Sequence, residues 1–510
     1  MEKLYNNVIL EDGFYAKKND FQSTPYLLCP PEVINVSVGR QLFVDDFLIE
    51  KTDLKPEYHK AKKFNSNPIL SPEMPWEIEK SPVACPKSGG VWYDEEERIF
   101  KMWYEAGWLH NMCYATSTDG IHWTRPALNP DGSNKILQYE GYEDLKFCDS
   151  IEYMRPDSTT VFIDYAADQR EKYKLFLRNP GGRLPGIVAT SADGIHFENF
   201  TYTGNLCDRS TVFYNPFRKK WVYSIRENIE PGDGSFIRKR DYAEFDDLIA
   251  GAPKSRTDSH EWMTCDKLDL PNPYIGMQPQ LYNVDCIGYE SIMLGMFQIL
   301  YGPQNEICEE NGIPKITELI PMYSRDGYHF TRPNRESLIN ASMHRGAWDR
   351  GYVQSVGGVC IINGDELWIY YIGFEGDESR KKESWITNGI YRNGATGIAK
   401  LRRDGFVSMN GEGHLVTRTL EFFDKSRMFV NIDGSVSAAI TDTDGDVIAR
   451  SNTVTADSTC AELTFEGFDI SSLNGKSFKI DFTVSGKLYS FGFANEQGDF
   501  GGAHAAGIVK

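Results

Sequence analysis

Asp208, in Cys207-Asp208-Arg209-Ser-Thr-Val-Phe-Tyr214, and Asp349, in Trp348-Asp349-Arg350-Gly-Tyr352, each stand beside an arginine just ahead of an apolar run. A neighbouring guanidinium keeps a carboxylate ionised. Glu375 closes the run Tyr370-Tyr-Ile-Gly-Phe-Glu375, and Asp45 and Asp46 interrupt Leu42-Phe-Val-Asp45-Asp46-Phe-Leu-Ile49. Two carboxylates on either side of a bond can do acid–base work, one protonating the leaving atom while the other attacks or activates water. Asp45 and Asp46 are adjacent on an extended run, so at most one can face a shared site. Arg209, Arg226, Arg350, Gln278 and Gln280 are placed to orient a polar substrate, and Trp108 and Tyr352 offer flat faces. Glu77, Glu79 (with Lys80 beside it), Glu105, Arg178 and Glu227 occupy comparable places, while Asp149 and Asp157 are expected to be turn formers.

The chain has 510 residues and a net charge of −19, with no basic block. That excludes nucleic acid and anionic membrane surfaces as general partners, although a local arginine cluster could still bind an anion. The 10 cysteines form no Cys-x-x-Cys pair and the 9 histidines no His-Glu-x-x-His. Neither a zinc site nor a disulfide framework is therefore expected. No cofactor is implied, and a structural Ca²⁺ has no loop motif to support it. The first residues lack the apolar core and cleavage site of a secretory signal, so the expected location is cytoplasmic.

The elements that must position these residues announce themselves as a repeat. Ser117-Thr-Asp119-Gly120-Ile-His122-Trp123 returns as Ser191-Ala-Asp193-Gly194-Ile-His196-Phe197 and as Ser324-Arg-Asp326-Gly327-Tyr-His329-Phe330. Arg403-Asp404-Gly405-Phe406 is a shortened copy and Glu244-Phe-Asp246 a degenerate one. Asp-Gly suits a hairpin, because Asp bonds its own backbone and Gly takes positive φ. Repetition makes these aspartates fold residues, since one active site needs no set of copies. Three short apolar runs precede the turn in most units, and the blade-sized spacing predicts a β-propeller. Five units give an all-β fold: an N-terminal arm over 1–34, a five-bladed β-propeller over 35–403, a small C-terminal β-sandwich over 404–497 and a flexible tail over 498–510. The first strand of each blade lines a central funnel, which is where Asp208 and Asp349 are expected to meet.

Several segments resemble bacterial proteins related to the N-terminal domain of glycoside hydrolase family 32, within the wider five-bladed group of families 32, 43, 68 and 130. The segments are Arg40-Gln-Leu-Phe-Val-Asp-Asp-Phe-Leu-Ile-Glu50, Asn67-Pro-Ile-Leu-Ser71, the Ser-x-Asp-Gly turns, Arg402-Arg-Asp-Gly-Phe-Val-Ser408 and Leu488-Tyr-Ser-Phe-Gly-Phe493. The resemblance spans about residues 38 to 495. Asp208 matches an Asp of that group, and Arg226 and Glu375 fall on positions usually polar there. The Trp-Met-Asn-Asp-Pro-Asn and Arg-Asp-Pro signatures of invertase-like enzymes are absent, so fructan specificity is not implied.

The resemblance implies a glycoside hydrolase, exo-acting on a short oligosaccharide, with carbohydrate as its partner. Asp208 or Asp46 would be nucleophile or base, Glu375 or Asp349 general acid, and Arg209, Arg226 and Arg350 would orient substrate. Two alternatives stay open: a phosphorylase, in which phosphate replaces water, and a non-catalytic carbohydrate-binding propeller.

Overall fold

The structure is a computed structural model; it describes all residues except 16–23, 80, 138–155, 179–182, 233–234, 381–388 and 510. Lys80 and Asp149 lie outside the described residues. Five antiparallel sheets succeed one another along the chain and form a five-bladed propeller. Their first strands include Val91–Asp94, Ser158–Ile163, Thr211–Asn215, Gln280–Glu290 and Gly351–Ser355. Each pairs with a second strand (Ile99–Ala106, Tyr173–Arg178, Lys220–Ile229, Ile292–Gly302, Glu366–Phe374), which pairs in turn with a third. The ring closes because Lys62–Lys63, from the start of the chain, forms the outer edge of blade five.

The repeated turn does the work expected of it. Asp193 Oδ1 accepts the backbone N–H groups of Ile195 and His196, both at 2.8 Å, and Ser191 Oγ accepts from Gly194 at 2.9 Å. Asp119 and Asp326 repeat the pattern. Each turn also fastens its blade to the one before it. Trp103 of blade one donates to the Gly194 carbonyl at 2.7 Å, and Tyr370 of blade five donates to that of Gly120 at 2.8 Å. In blade three the copy is degenerate because Asp247 caps a short helix, Leu248–Gly251, instead.

A second body follows the propeller. A two-layer sandwich over 404–497 is not confirmed: its long strands Val407–Thr417, Arg427–Thr441, Val454–Leu463 and Lys479–Ala494 belong to one eight-stranded sheet. That sheet also takes Gln41–Leu42, Ile49–Thr52 and Lys55–Tyr58, so residues 41–58 pair here and the propeller's strands begin at Lys62. Gly486 pairs with Gly411 on one side and Gly434 on the other, the three at φ +129°, +143° and +132°, and side chains at Gly434 and Gly486 would collide with facing backbone. Such a glycine row lets long strands bend together. Phe43, Phe47, Leu415, Ile432, Phe482 and Phe491 form its core, distinct from that of the propeller.

The end of the chain is pinned rather than free. Ala503–His504 pairs with blade four and Ile508–Val509 runs parallel to Ile361–Asn363 of blade five. Among the described residues no helix is long and apolar enough to cross a membrane.

Candidate functional site

In an antiparallel blade the start of the first strand, the end of the second and the start of the third share one edge of the sheet. Around the axis at that edge, charged residues from four blades interlock. Asp157, immediately before blade two, accepts from Arg178 Nη1 at 2.6 Å and from Arg209 Nη2 at 3.0 Å. Arg209 also donates to Gln354 Oε1 of blade five at 3.2 Å, and Gln354 donates to Ser88 Oγ of blade one at 3.0 Å. Lys87 lies 2.7 Å from Glu105 Oε2 and 4.0 Å from Asp157, with its ammonium 3.8 Å over the Trp108 ring. Asp208 meets Arg226 at 3.0 Å. Below them Asp285 accepts from Asn283 at 2.9 Å and from Ser88 at 3.3 Å.

Backbone conformation contributes to this aim. Ser88, Arg209 and Tyr352 have φ of +60°, +60° and +51°, in three different blades. Left-handed backbone at non-glycine residues costs on the order of 1 kcal/mol or more each and persists where surrounding contacts fix it. Here those contacts are the ion pairs and hydrogen bonds of the axis.

The carboxylates are driven apart in acidity. Burial would raise Asp157, but Arg209, Arg178 and Lys87 outweigh it and hold the group down at about 2. Asp208 is lowered as well, Arg226 overcoming the opposing effect of its enclosure, although its side chain is 45% exposed. Glu105 moves the other way: burial raises it in spite of Lys87 and the Leu109 N–H, and burial likewise depresses Lys87. Asp285 is pushed up to about 6 by burial against its serine partners. Arg240 is brought down to about 9, by burial and then Arg226, and stays charged at neutral pH.

Of the residues singled out in the sequence, Asp208, Arg209, Arg226, Trp108 and Tyr352 come together here. Gln280 accepts from Arg238 at the rim, and Gln278 is exposed two residues earlier. Glu375 sits at the same edge on blade five, half-buried, accepting from Asn393 at 3.1 Å.

The remaining four go elsewhere. Asp349 is 3% exposed and is held by Lys63 Nζ at 2.6 Å, Tyr371 OH at 3.1 Å and Ser342, away from the axis. It stands two residues before Gly351 whereas Asp208 stands three before Thr211. Arg350 donates to Glu378 at 2.8 Å in an outer loop. Asp45 and Asp46 lie in no propeller strand. Asp45 is buried against Arg325 at 2.9 Å and caps the turn Asp46–Leu48, and Asp46 is exposed on that turn.

Sequence reasoning passed over Lys87, Arg238, Arg240, Tyr282, Asp285, Lys315 and Gln354, and it placed Asp157 among turn formers. One signal was present. Lys87 is a lone charge in the apolar stretch Pro82-Val-Ala-Cys-Pro-Lys87-Ser-Gly-Gly-Val91, and buried lysines are rare unless paired. Arg238 and Arg240 lie at the start of a third strand, a position on the same edge that went unsearched. Among the described residues no cluster of His, Cys, Asp or Glu could hold a metal ion.

No family model matches the chain, and no curated protein does. Solved structures do. A thermostable family-43 glycoside hydrolase is 12% identical over 67% of this chain and 97% of its own, with a TM-score of 0.43. A β-1,2-mannobiose phosphorylase from Listeria innocua is 12% identical over 67% and 96%, at 0.41. A family-32 β-fructofuranosidase from Bombyx mori is 9% identical over 89% and 95%, at 0.35. These likenesses are of fold alone.

Proposed function

We propose that this protein hydrolyses a glycosidic bond at the axial end of its propeller, removing units from the end of a short oligosaccharide. The observation that carries the reading is the divergence of two carboxylates within the field of one cation. Arg209 acts on both Asp208 and Glu105, yet Asp208 is held ionised and Glu105 is lifted toward its protonated form. Environments that push two acids apart in this way mark a base and an acid. Asp208 takes the proton of the attacking water, or attacks the anomeric carbon itself, while Glu105 protonates the leaving oxygen. Arg226 keeps Asp208 ionised, and Asp157, bound by Arg178 and Arg209, fixes the guanidinium beneath it. Glu105 thus replaces Asp349 in the role of acid, because it stands at the axial edge whereas Asp349 is paired with Lys63 away from the axis.

One observation favours phosphorolysis as a second reading. Lys87, Arg178, Arg209, Arg226, Arg238, Arg240 and Lys315 outnumber the axial carboxylates Glu105, Asp157, Asp208 and Asp285. A site with surplus positive charge can accept phosphate in place of water. Both readings are tested by release of nitrophenol from a panel of nitrophenyl furanosides and pyranosides, with and without phosphate, on wild type and Asp208→Asn. Turnover that Asp208→Asn lowers by 10²-fold or more supports hydrolysis; a requirement for phosphate moves the assignment to phosphorolysis. Sugar binding without turnover on any substrate rejects both in favour of a binding protein.

A further inference from the structure

Beside Asp208, on blades three to five, three cations, Lys315 and Arg240 buried and Arg238 half-buried, have no counter-ion among the described residues. Lys315 is 3% exposed and its Nζ has two phenols as its neighbours, the hydroxyl of Tyr282 at 3.1 Å and that of Tyr391, whose ring centroids lie 5.1 and 5.7 Å away. Arg238 is stacked 4.9 Å from Phe236 and 5.6 Å from Tyr282 and donates to the neutral Gln280. Arg240, fully buried, spends its donors on the carbonyls of Tyr282, Ser224 and Arg209 and on Asn283. Among the described residues, no carboxylate lies within ion-pair distance of any of the three. Asp285, the acid that acts most on Arg240, is turned to Ser88, Ser355 and Asn283.

Burying a charge without a partner is costly, and buried cations are ordinarily matched by a carboxylate. Two further features show what is missing. The Tyr282 hydroxyl, which burial pushes up, is pulled below its ordinary value by Lys315, Arg209 and Arg238 acting together. Tyr352, whose hydroxyl is 3.4 Å away, is raised instead. The indole N–H of Trp108, whose ring is stacked 3.8 Å from Tyr391 and set edge-on to Tyr352, is buried and has no acceptor among the described residues. Together these groups lack one negative charge and one hydrogen-bond acceptor, and an oxyanion supplies both.

We propose that Lys315, Arg238, Tyr282, Tyr352 and the Trp108 N–H form a seat for an oxyanion borne by the substrate, so that the sugar cleaved is an acidic one, a uronate or a sulfate ester. The carrier's identity rests on the glycosidase reading; the seat does not. Inorganic phosphate shares the chemistry, and the exposed ring of Phe236 beside Arg238 favours a group attached to a sugar ring.

Isothermal titration of the full chain with D-glucuronate, glucose 6-sulfate, glucose and inorganic phosphate tests this. At least one acidic sugar binds wild type roughly tenfold or more tighter than glucose, the worth of one charge-assisted hydrogen bond. The preference falls to within about twofold in Lys315→Met and in Arg238→Gln, and Lys315→Arg keeps it. Arg238 is half-buried and outside the packed core, so its variant reads the seat even where Lys315→Met fails to fold. Equal binding of acidic and neutral sugars by wild type, or a preference that survives both variants, overturns the seat. Phosphate binding tighter than either acidic sugar overturns its assignment to a sugar-borne group. Neutral glycosides cleaved with no anion preference reject the seat alone; a preference with no glycoside cleaved rejects the reaction alone.

Discussion

Asp157→Asn should destabilise the protein more at neutral pH than in acid, by an amount the structure fixes. The carboxylate is 12% exposed, bridges Arg178 and Arg209, and is held at about 2 against an ordinary value of 3.8. That gap corresponds to about 2 kcal/mol of stability. Because the folded value is the lower one, the contribution is complete above pH 3.8 and is lost as pH falls through about 2. Replacing the carboxylate also leaves two buried guanidiniums facing an amide that can accept only on one side, and breaking a buried pair in this way costs about 3–5 kcal/mol. Urea unfolding followed by tryptophan fluorescence at pH 7 and pH 3 measures both quantities. The variant should be about 3–5 kcal/mol less stable at pH 7, and the difference should narrow by about 1 kcal/mol at pH 3, where the wild-type carboxylate has lost part of its advantage. A difference below about 1 kcal/mol at pH 7, or one that does not narrow in acid, would refute the claim that Asp157 is the electrostatic keystone of the axis.

Asp349→Asn should lower stability by about 3 kcal/mol, since it leaves Lys63 without its carboxylate, while kcat on any cleaved glycoside stays within about twofold; a large loss of kcat would return Asp349 to the machinery. Gly194→Ala should cost about 2 kcal/mol or more in a thermal or urea melt, because the residue has φ +75° and a Cβ there would come 2.7 Å from Trp103 and 3.0 Å from Tyr173. A neutral Gly194→Ala would show that the turn does not lock blade two to blade one.

Much of the propeller could be read from the chain because its determinants are local. Ser, Asp, Gly and the following aromatic act within seven residues, and the turn they build is the same wherever it recurs. The closure could not be read. Lys62–Lys63 pairs with Lys400 and Ala399, and Gln41–Leu42 with Ser490 and Phe491, across more than three hundred residues. Nothing near those short segments in sequence records the partner, so residues 41–58 seemed to open the propeller and instead complete the second sheet. The pinned tail has the same origin: its strands are two residues long and have no periodicity to find.

The site divides along similar lines. Asp208 and Arg226 could be found because each lies at a strand end, on either side of one strand pair, and they meet directly. Asp349 carries the same Asp-Arg signature, yet its partners are Lys63, Tyr371 and Ser342. Lys87 and Lys315 each sit alone in sequence and Arg238 opens the run Arg238-Lys-Arg-Asp241, on blades one, four and three, and they acquire meaning only when the ring closes and their charges converge. A chain with a net charge of −19 therefore hides a cationic centre, since composition averages over a surface that the axis does not share. That contrast has a kinetic consequence. The outer field repels an acidic sugar at long range while the inner cations attract it at contact, so added salt should speed association and weaken the final complex. A neutral sugar would show neither effect.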